Sequence, residues 1–335
     1  MHSSWRYSLG KSFSSNSLFE LFSHFYITGF FTRYVKIIKR FRKGVWGITL
    51  LQKGFPQLPR KGAAVNSDLW KEKEMARIYP LFSSSSGNCT YIGNGKSGIL
   101  IDAGVSCKKI CDALSANGLE AAGISGIFIT HTHSDHVSGL KVLAKKLNIP
   151  IYAQRQNLSI LMESDLVPES AQLQELDSDE TVCGDFLVTH FETPHDTPAS
   201  CGYKVICPDG KKLCICTDLG CVTQTVWDNL KGSDLVLLES NYDPYMLAHG
   251  PYPYQLQKRI ASDHGHLSNS DCADTVHKLL QCSTEKFILG HLSQHNNTPI
   301  TAENTVVGTL SDARRNRDYL LFVAKPEGEG MAVAF

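Results

Sequence analysis

From Arg77 onward, short runs of β-branched and aromatic residues alternate with longer stretches in which apolar side chains recur every third or fourth position. The first pattern predicts strands and the second amphipathic helices, so this region reads as an α/β domain. Strands are expected at 77–82, 90–92, 98–101, 126–130, 186–189, 202–206, 212–216, 235–238 and 286–289. Pro208-Asp209-Gly210 is turn chemistry and makes a hairpin of the sixth and seventh of these. Helices are expected at 107–117, stopped by Gly118, at 136–147 before Pro150, at 253–261 and at 269–280. In the last, Cys272, Val276, Leu279 and Leu280 form one stripe that should face a sheet.

The residues before Met75 have a different texture. They hold 14 of the 31 aromatic residues and no cysteine, with little Gly/Pro punctuation. The whole chain balances 33 basic against 33 acidic side chains, yet residues 1–74 carry 13 against 4, leaving 20 against 29 for 75–335. The chain therefore divides near Met75 into a basic aromatic extension, 1–74, and a domain, 75–335. Phe30, Tyr34, Ile37, Ile38 and Phe41 at helical spacing, with basic residues between, predict an amphipathic helix suited to a membrane surface or to nucleic acid. The alternatives are a poorly structured tail or sequence that is not normally translated. Neither a signal peptide nor a membrane-spanning segment is expected, since Glu20, Ser23 and His24 break the longest apolar stretch. The eleven cysteines include no C-x-x-C pair and lie partly in apolar runs. They read as thiols of a reducing compartment, which implies a cytoplasmic protein.

The chemistry is concentrated where the strand at 126–130 ends and His131-Thr132-His133-Ser134-Asp135-His136 follows. In a loop between a strand end and a helix start, His131 and His133 can point at one ion while Asp135 and His136 turn to a neighbouring position. Imidazole with carboxylate suits zinc, manganese or iron rather than calcium. Four residues do not complete two metal sites, so further ligands should come from other strand ends. His195, Asp218 and His291 each follow a strand candidate. Taken singly, each could as well be a turn, cap or satisfied polar residue.

In this order the motifs resemble those of the metallo-β-lactamase superfamily of metal-dependent hydrolases. The resemblance implies a four-layer αββα sandwich over 75–335 and two divalent metal ions, zinc or manganese. It implies that His131, His133 and His195 hold one ion, that Asp135, His136 and His291 hold the other, and that Asp218 bridges them. Asp102, in Leu100-Ile101-Asp102-Ala103-Gly104, matches the family's first motif and would orient the metal loop; a turn aspartate is the plainer reading.

Several stretches resemble the YycJ/WalJ-like branch, which is described as having exonuclease activity on DNA. They are Leu81 to Asn88, Pro194-His195-Asp196-Thr197, Gly250-Pro251-Tyr252-Pro253, Ser262 to Asn269, and Leu289 to Ser293 followed by Asn296-Asn297-Thr298-Pro299. His295 departs from the acidic residue expected there. Gly265-His266-Leu267-Ser268 resembles the histidine motif of phosphodiesterase members, which makes His266 a candidate proton donor to the leaving oxygen, held by Glu239. The residues from Ser83 to Asn88 offer either an anion-binding nest or a tight hairpin.

Only 72 residues separate Asp218 from His291, too few for the whole inserted domain of RNA-processing relatives. The expectation is thus a dinuclear metal-dependent hydrolase, a phosphodiesterase acting as a DNA exonuclease with nucleic acid as its substrate. A thioester or lactone hydrolase of the same fold is the enzymatic alternative, and a non-catalytic metal-binding scaffold the other. The acidic domain would need a local basic patch to bind nucleic acid.

Overall fold

A computed structural model describes residues 36–42, 45–51, 76–176, 180–327 and 331–335. The chain divides into two units, Met1–Trp70 and Lys71–Phe335.

In the first unit, β1 (Lys36–Arg42) and β2 (Val45–Leu51) pair antiparallel, with Arg42 opposite Val45. This corrects the expected amphipathic helix over its second half; residues 30–35 lie outside the described residues. Ile37, Ile38, Val45, Ile48 and Thr49 are β-branched, so local strand propensity outweighs the helical spacing. The expectation of a poorly structured extension otherwise falls on residues outside those described.

In the second unit, β3 (Arg77–Ser84), β4 (Gly87–Gly93), β5 (Gly98–Ile101), β6 (Ile124–Phe128), β7 (Ile151–Ala153) and β8 (Leu173–Glu175) belong to one sheet. The second sheet takes β9 (Thr181–Cys183), β10 (Phe186–Glu192), β11 (Cys201–Ile206), β12 (Lys212–Cys216), β13 (Leu235–Glu239), β14 (Lys286–Gly290) and β15 (Leu320–Val323). Finally β16 (Val333–Ala334) returns to the first, so the orders are β16-β3-β4-β5-β6-β7-β8 and β15-β14-β13-β12-β11-β10-β9. Each sheet is antiparallel on one side and parallel on the other, the parallel pairs being β5 to β8 and β12 to β15. The expected hairpin is present, with Ile206 opposite Lys212 and Gly210 in the left-handed region at φ 83°.

Alternation along the strands builds the layers. Leu213, Ile215, Leu235 and Leu237 point inward and meet Ile78, Ile92, Ile99 and Phe128 of the other sheet in a central core. Their neighbours Cys214, Cys216, Val236 and Leu238 point outward onto Val226, Leu230, Cys272, Val276 and Leu279 of the covering helices. On the opposite side Leu81, Tyr91, Leu100 and Ile127 pack under Ile110, Leu114, Leu140, Leu143 and Leu161. A strand buried on both faces is apolar along its length, which is why Leu213 to Cys216 of β12 and Leu235 to Leu238 of β13 read as continuous apolar runs. The result is the four-layer αββα sandwich.

The expected helix at 136–147 is two helices, Ser134–Val137 and Leu140–Leu147. The break is set by Gly139, whose N–H donates to Ala103 O at 2.9 Å and whose added Cβ would lie 1.8 Å from Val105 O. Among the described residues no helix is long and apolar enough to cross a membrane.

All eleven cysteines are free; eight are buried, and Cys111, Cys221 and Cys282 are half-buried. Burial pushes the Cys201 and Cys207 thiols up to about 12. A thiol reagent at pH 8 should therefore modify at most Cys111, Cys221 and Cys282 in the native protein and all eleven after denaturation. Fast modification of further thiols in the native state would contradict the packing described.

Candidate metal centre

The site lies at one end of both sheets, where β5, β6, β12, β13 and β14 stop. Asp102, Asp218 and His291 each stand just beyond a strand end with positive φ, 62°, 57° and 54°. For non-glycine residues this conformation is uncommon and carries strain, which tertiary contacts must hold in place.

The residue order 131–136 turns sharply into the helix Ser134–Val137, and Asp102 locks that turn. Its carboxylate accepts the Thr130 backbone N–H at 2.8 Å and the Thr130 hydroxyl at 2.9 Å, and its Oδ2 lies 2.8 Å from His136 Nδ1. Because a carboxylate only accepts, His136 donates from Nδ1 and presents Nε2 to the site. Gly104 allows this approach, since a Cβ there would lie 1.6 Å from Asp135 O. His195 is fixed in the same way, with Nδ1 3.0 Å from Gly265 O.

Glu239, fully buried, performs this service twice. Its Oε1 lies 2.7 Å from His266 Nδ1 and 3.1 Å from His291 Nδ1, while Oε2 accepts the backbone N–H of Leu219 and Leu267 at 3.0 and 3.3 Å. Burial alone would raise this carboxyl, but His266 and His291 beside it leave it lowered. For His266 burial opposes protonation, yet the Glu239 and Asp218 charges raise it above the usual histidine range. Burial likewise works against ionised Asp218, and His291 and His136 overcome it, holding the carboxyl well below the usual range.

The ligand atoms of His131, His133 and His195 lie within 4.8 Å of one another, as do those of Asp135, His136 and His291, and those of His131, His136 and Asp218. Asp218 Oδ1 is 3.3 Å from His291 Nε2 and 3.9 Å from His195 Nε2, and its Oδ2 is 3.3 Å from His136 Nε2. A fourth group, Asp218, Glu239, His266 and His291, is equally tight. There, however, both imidazoles already face one Glu239 oxygen at hydrogen-bond distance. By contrast His131 Nε2, Asp218 Oδ2 and His291 Nε2 are buried without a hydrogen-bond partner. Leaving such atoms unmatched is costly, and nitrogen and oxygen donors of this kind match a divalent cation. The residues present therefore fit metal ions at the first three groups.

All seven expected ligand candidates come together, and Asp102, Glu239 and His266 adjoin them. The supporting contacts of three residues were missed from sequence. Asn88 Nδ2 lies 3.1 Å from His136 Nε2 and 3.4 Å from Asp135 Oδ2, the Ser83 hydroxyl accepts the His291 N–H at 2.9 Å, and Asn241 Nδ2 donates to His291 O at 2.9 Å. Most of the residues from Ser83 to Asn88 are in β3 and β4, joined by the exposed turn Ser85-Ser86, so the tight hairpin is what forms.

The family model of the metallo-beta-lactamase superfamily matches residues 84–291. The exodeoxyribonuclease WalJ of Streptococcus pneumoniae serotype 2 is 36% identical over 236 residues, 70% of this chain and 87% of that protein. The exodeoxyribonuclease YycJ of Bacillus anthracis is 34% identical over 234 residues, 69% of this chain and 88% of that one. The fold is shared with the metallo-beta-lactamase fold protein YhfI from Bacillus subtilis, at a TM-score of 0.58 and 14% identity over 78% of this chain and all of that one. With the match spanning both sheets and every strand-end motif, the chain belongs to the metallo-β-lactamase superfamily of metal-dependent hydrolases. Within it, the likeness over most of the domain puts it in the WalJ/YycJ-like branch.

The Asp102 side chain hydrogen-bonds Thr130 and His136, so its effect should pass through metal affinity. Asp102→Asn is expected to weaken metal binding about 10–100-fold, the usual cost of losing a residue that orients a ligand. A chelator competition titration measures this; unchanged affinity would show that Thr130 alone holds the loop.

Proposed function

We propose that the chain is a DNA exonuclease using two divalent ions, zinc or manganese, held by His131, His133 and His195 on one side and Asp135, His136 and His291 on the other, with Asp218 between. The observation that carries this reading is the set of buried, unpartnered His131 Nε2, Asp218 Oδ2 and His291 Nε2 gathered around Asp218 beside the Glu239–His266 pair. Bound ions would supply Lewis acidity, bringing a water to reactivity near neutral pH and neutralising charge on phosphoryl oxygens.

The chain's own residues do the rest. Asp102, Gly265 O and Glu239 fix the tautomers of His136, His195 and His291, so each offers Nε2. Glu239 also orients His266, which is placed to give a proton to the departing oxygen. An alkoxide leaves poorly without that proton, whereas a thiolate leaves readily, so the pair favours a phosphodiester over a thioester. DNA as the substrate rests on the names of the two bacterial relatives, and a cytoplasmic location on the free cysteines.

The discriminating experiment is a screen with DNA and RNA labelled at the 5′ or the 3′ end, with Zn²⁺ or Mn²⁺ added. Stepwise shortening of DNA is expected. Hydrolysis of thioesters or lactones without phosphodiester cleavage would reverse the assignment.

A further inference from the structure

Beside His266 a cleft of about 320 Å³ opens, whose walls include Asp196, Tyr252, Leu256, Arg259, Ile260 and His266. It adjoins the metal centre through His266. The helix Tyr254–Ile260 ends where Ile260 O accepts the His266 N–H at 2.9 Å, and a Cβ at Gly265 would lie 2.2 Å from the same Ile260 O. Gly265 O in turn holds His195. Displacement of this helix therefore bears directly on two histidines of the site.

The walls differ in chemistry. Tyr252, Leu256 and Ile260 make an apolar side. Tyr252 is half-buried, lies between Pro251 and Pro253, which restrict its backbone, and has the His295 ring edge-on at 5.7 Å. On the cationic side Arg259 is exposed but not loose: its Nε is ion-paired with Asp196, whose Oδ1 lies 3.5 Å from His195 Nε2. Lys258 lies next to it on the same helix, 5.5 Å from the Tyr254 ring centroid. Of the two, Arg259 lines the cleft and brings its charge, paired with Asp196, to the mouth of a site in an otherwise acidic domain.

An aromatic face, a clamped guanidinium and a proton donor around one small volume match the base, the phosphate and the leaving oxygen of a single nucleotide. The volume is at the low end for ligand pockets and does not take a base pair together with its backbone. We infer that this cleft receives one unpaired terminal nucleotide of the strand being degraded, its base stacked on Tyr252 and a phosphate next to the scissile one engaged by Arg259. The inference rests on the nuclease reading and deepens it. It makes Tyr252 and Arg259 substrate-binding residues and accounts for digestion from an end, because an internal nucleotide of a duplex is not free to enter.

The test uses the full chain depleted of metal, so that binding is read without cleavage, and a single-stranded oligonucleotide carrying 2-aminopurine at its 5′ or its 3′ terminus. Wild type should quench the fluorophore at one terminus, and Tyr252→Ala should abolish the quenching while Tyr252→Phe keeps it. With metal restored, Tyr252→Ala should raise KM for the oligonucleotide about 10-fold or more, the size of one lost stacked base, with a smaller change in kcat. Arg259→Gln should lower the salt dependence of binding by about one phosphate contact. Tyr245→Ala, exposed and outside the cleft, should behave as wild type. If wild type degrades DNA but Tyr252→Ala matches it in quenching and KM, the subsite is wrong and the nuclease reading stands. If wild type neither binds nor degrades any oligonucleotide, both fall.

Discussion

His133→Ala is expected to reduce hydrolysis to the background of the assay while the protein stays folded. His133 is only half-buried and belongs to none of the three apolar clusters, so truncating it opens no core cavity. Its Nδ1 lies 3.3 Å from His195 Nε2, within the group that fits one ion. Substitutions away from the core usually change stability by within about 0.5 kcal/mol, so the melting temperature of the metal-depleted variant should match that of metal-depleted wild type. Metal analysis should show a deficit confined to one of two sites. A variant with full metal content and full turnover would remove His133 from the centre.

His266→Ala should have a different signature. Metal content should stay as in wild type while phosphodiester cleavage falls about 10²–10⁴-fold, the range for lost proton donation. Esters with good leaving groups should lose much less, because they need little protonation. If a metal equivalent is lost instead, the group of Asp218, Glu239, His266 and His291 holds an ion, and the role given to His291 must change. Glu239→Gln should impair both functions, since the same oxygen faces His266 and His291.

Much of the centre was legible because its residues are tied to fixed local offsets. His131, His133, Asp135 and His136 lie on one strand-to-helix turn, and His195, Asp218 and His291 each follow a strand written in apolar residues. Ser83 and Asn88 stood out only as part of a family-like stretch, and the contacts by which they and Asn241 support His136 and His291 were not legible. These residues act through contacts between segments far apart in sequence, such as the Ser83 hydroxyl accepting the His291 N–H, and nothing local distinguishes them from other polar residues at strand ends. The left-handed backbone of Asp102, Asp218 and His291 was equally hidden, since tertiary hydrogen bonds impose it against local preference.

In the fold, β5 and β12 were read at their exact bounds, being apolar runs closed by turn residues. The short strands β7, β8, β9 and β16, of two or three residues, carry too little pattern to be seen and form because a neighbouring strand offers its edge. The break at Gly139 has a similar cause, a backbone approach from Val105 that no helical periodicity records.

The most direct measurement is the fate of end-labelled single-stranded DNA incubated with metal-depleted protein to which Zn²⁺ or Mn²⁺ is returned. The account predicts no cleavage without metal, two ions bound per chain on reconstitution, and then stepwise shortening from one end. Reconstituted protein that binds two ions but leaves every DNA and RNA end intact, or that shortens DNA equally well without metal, would contradict it.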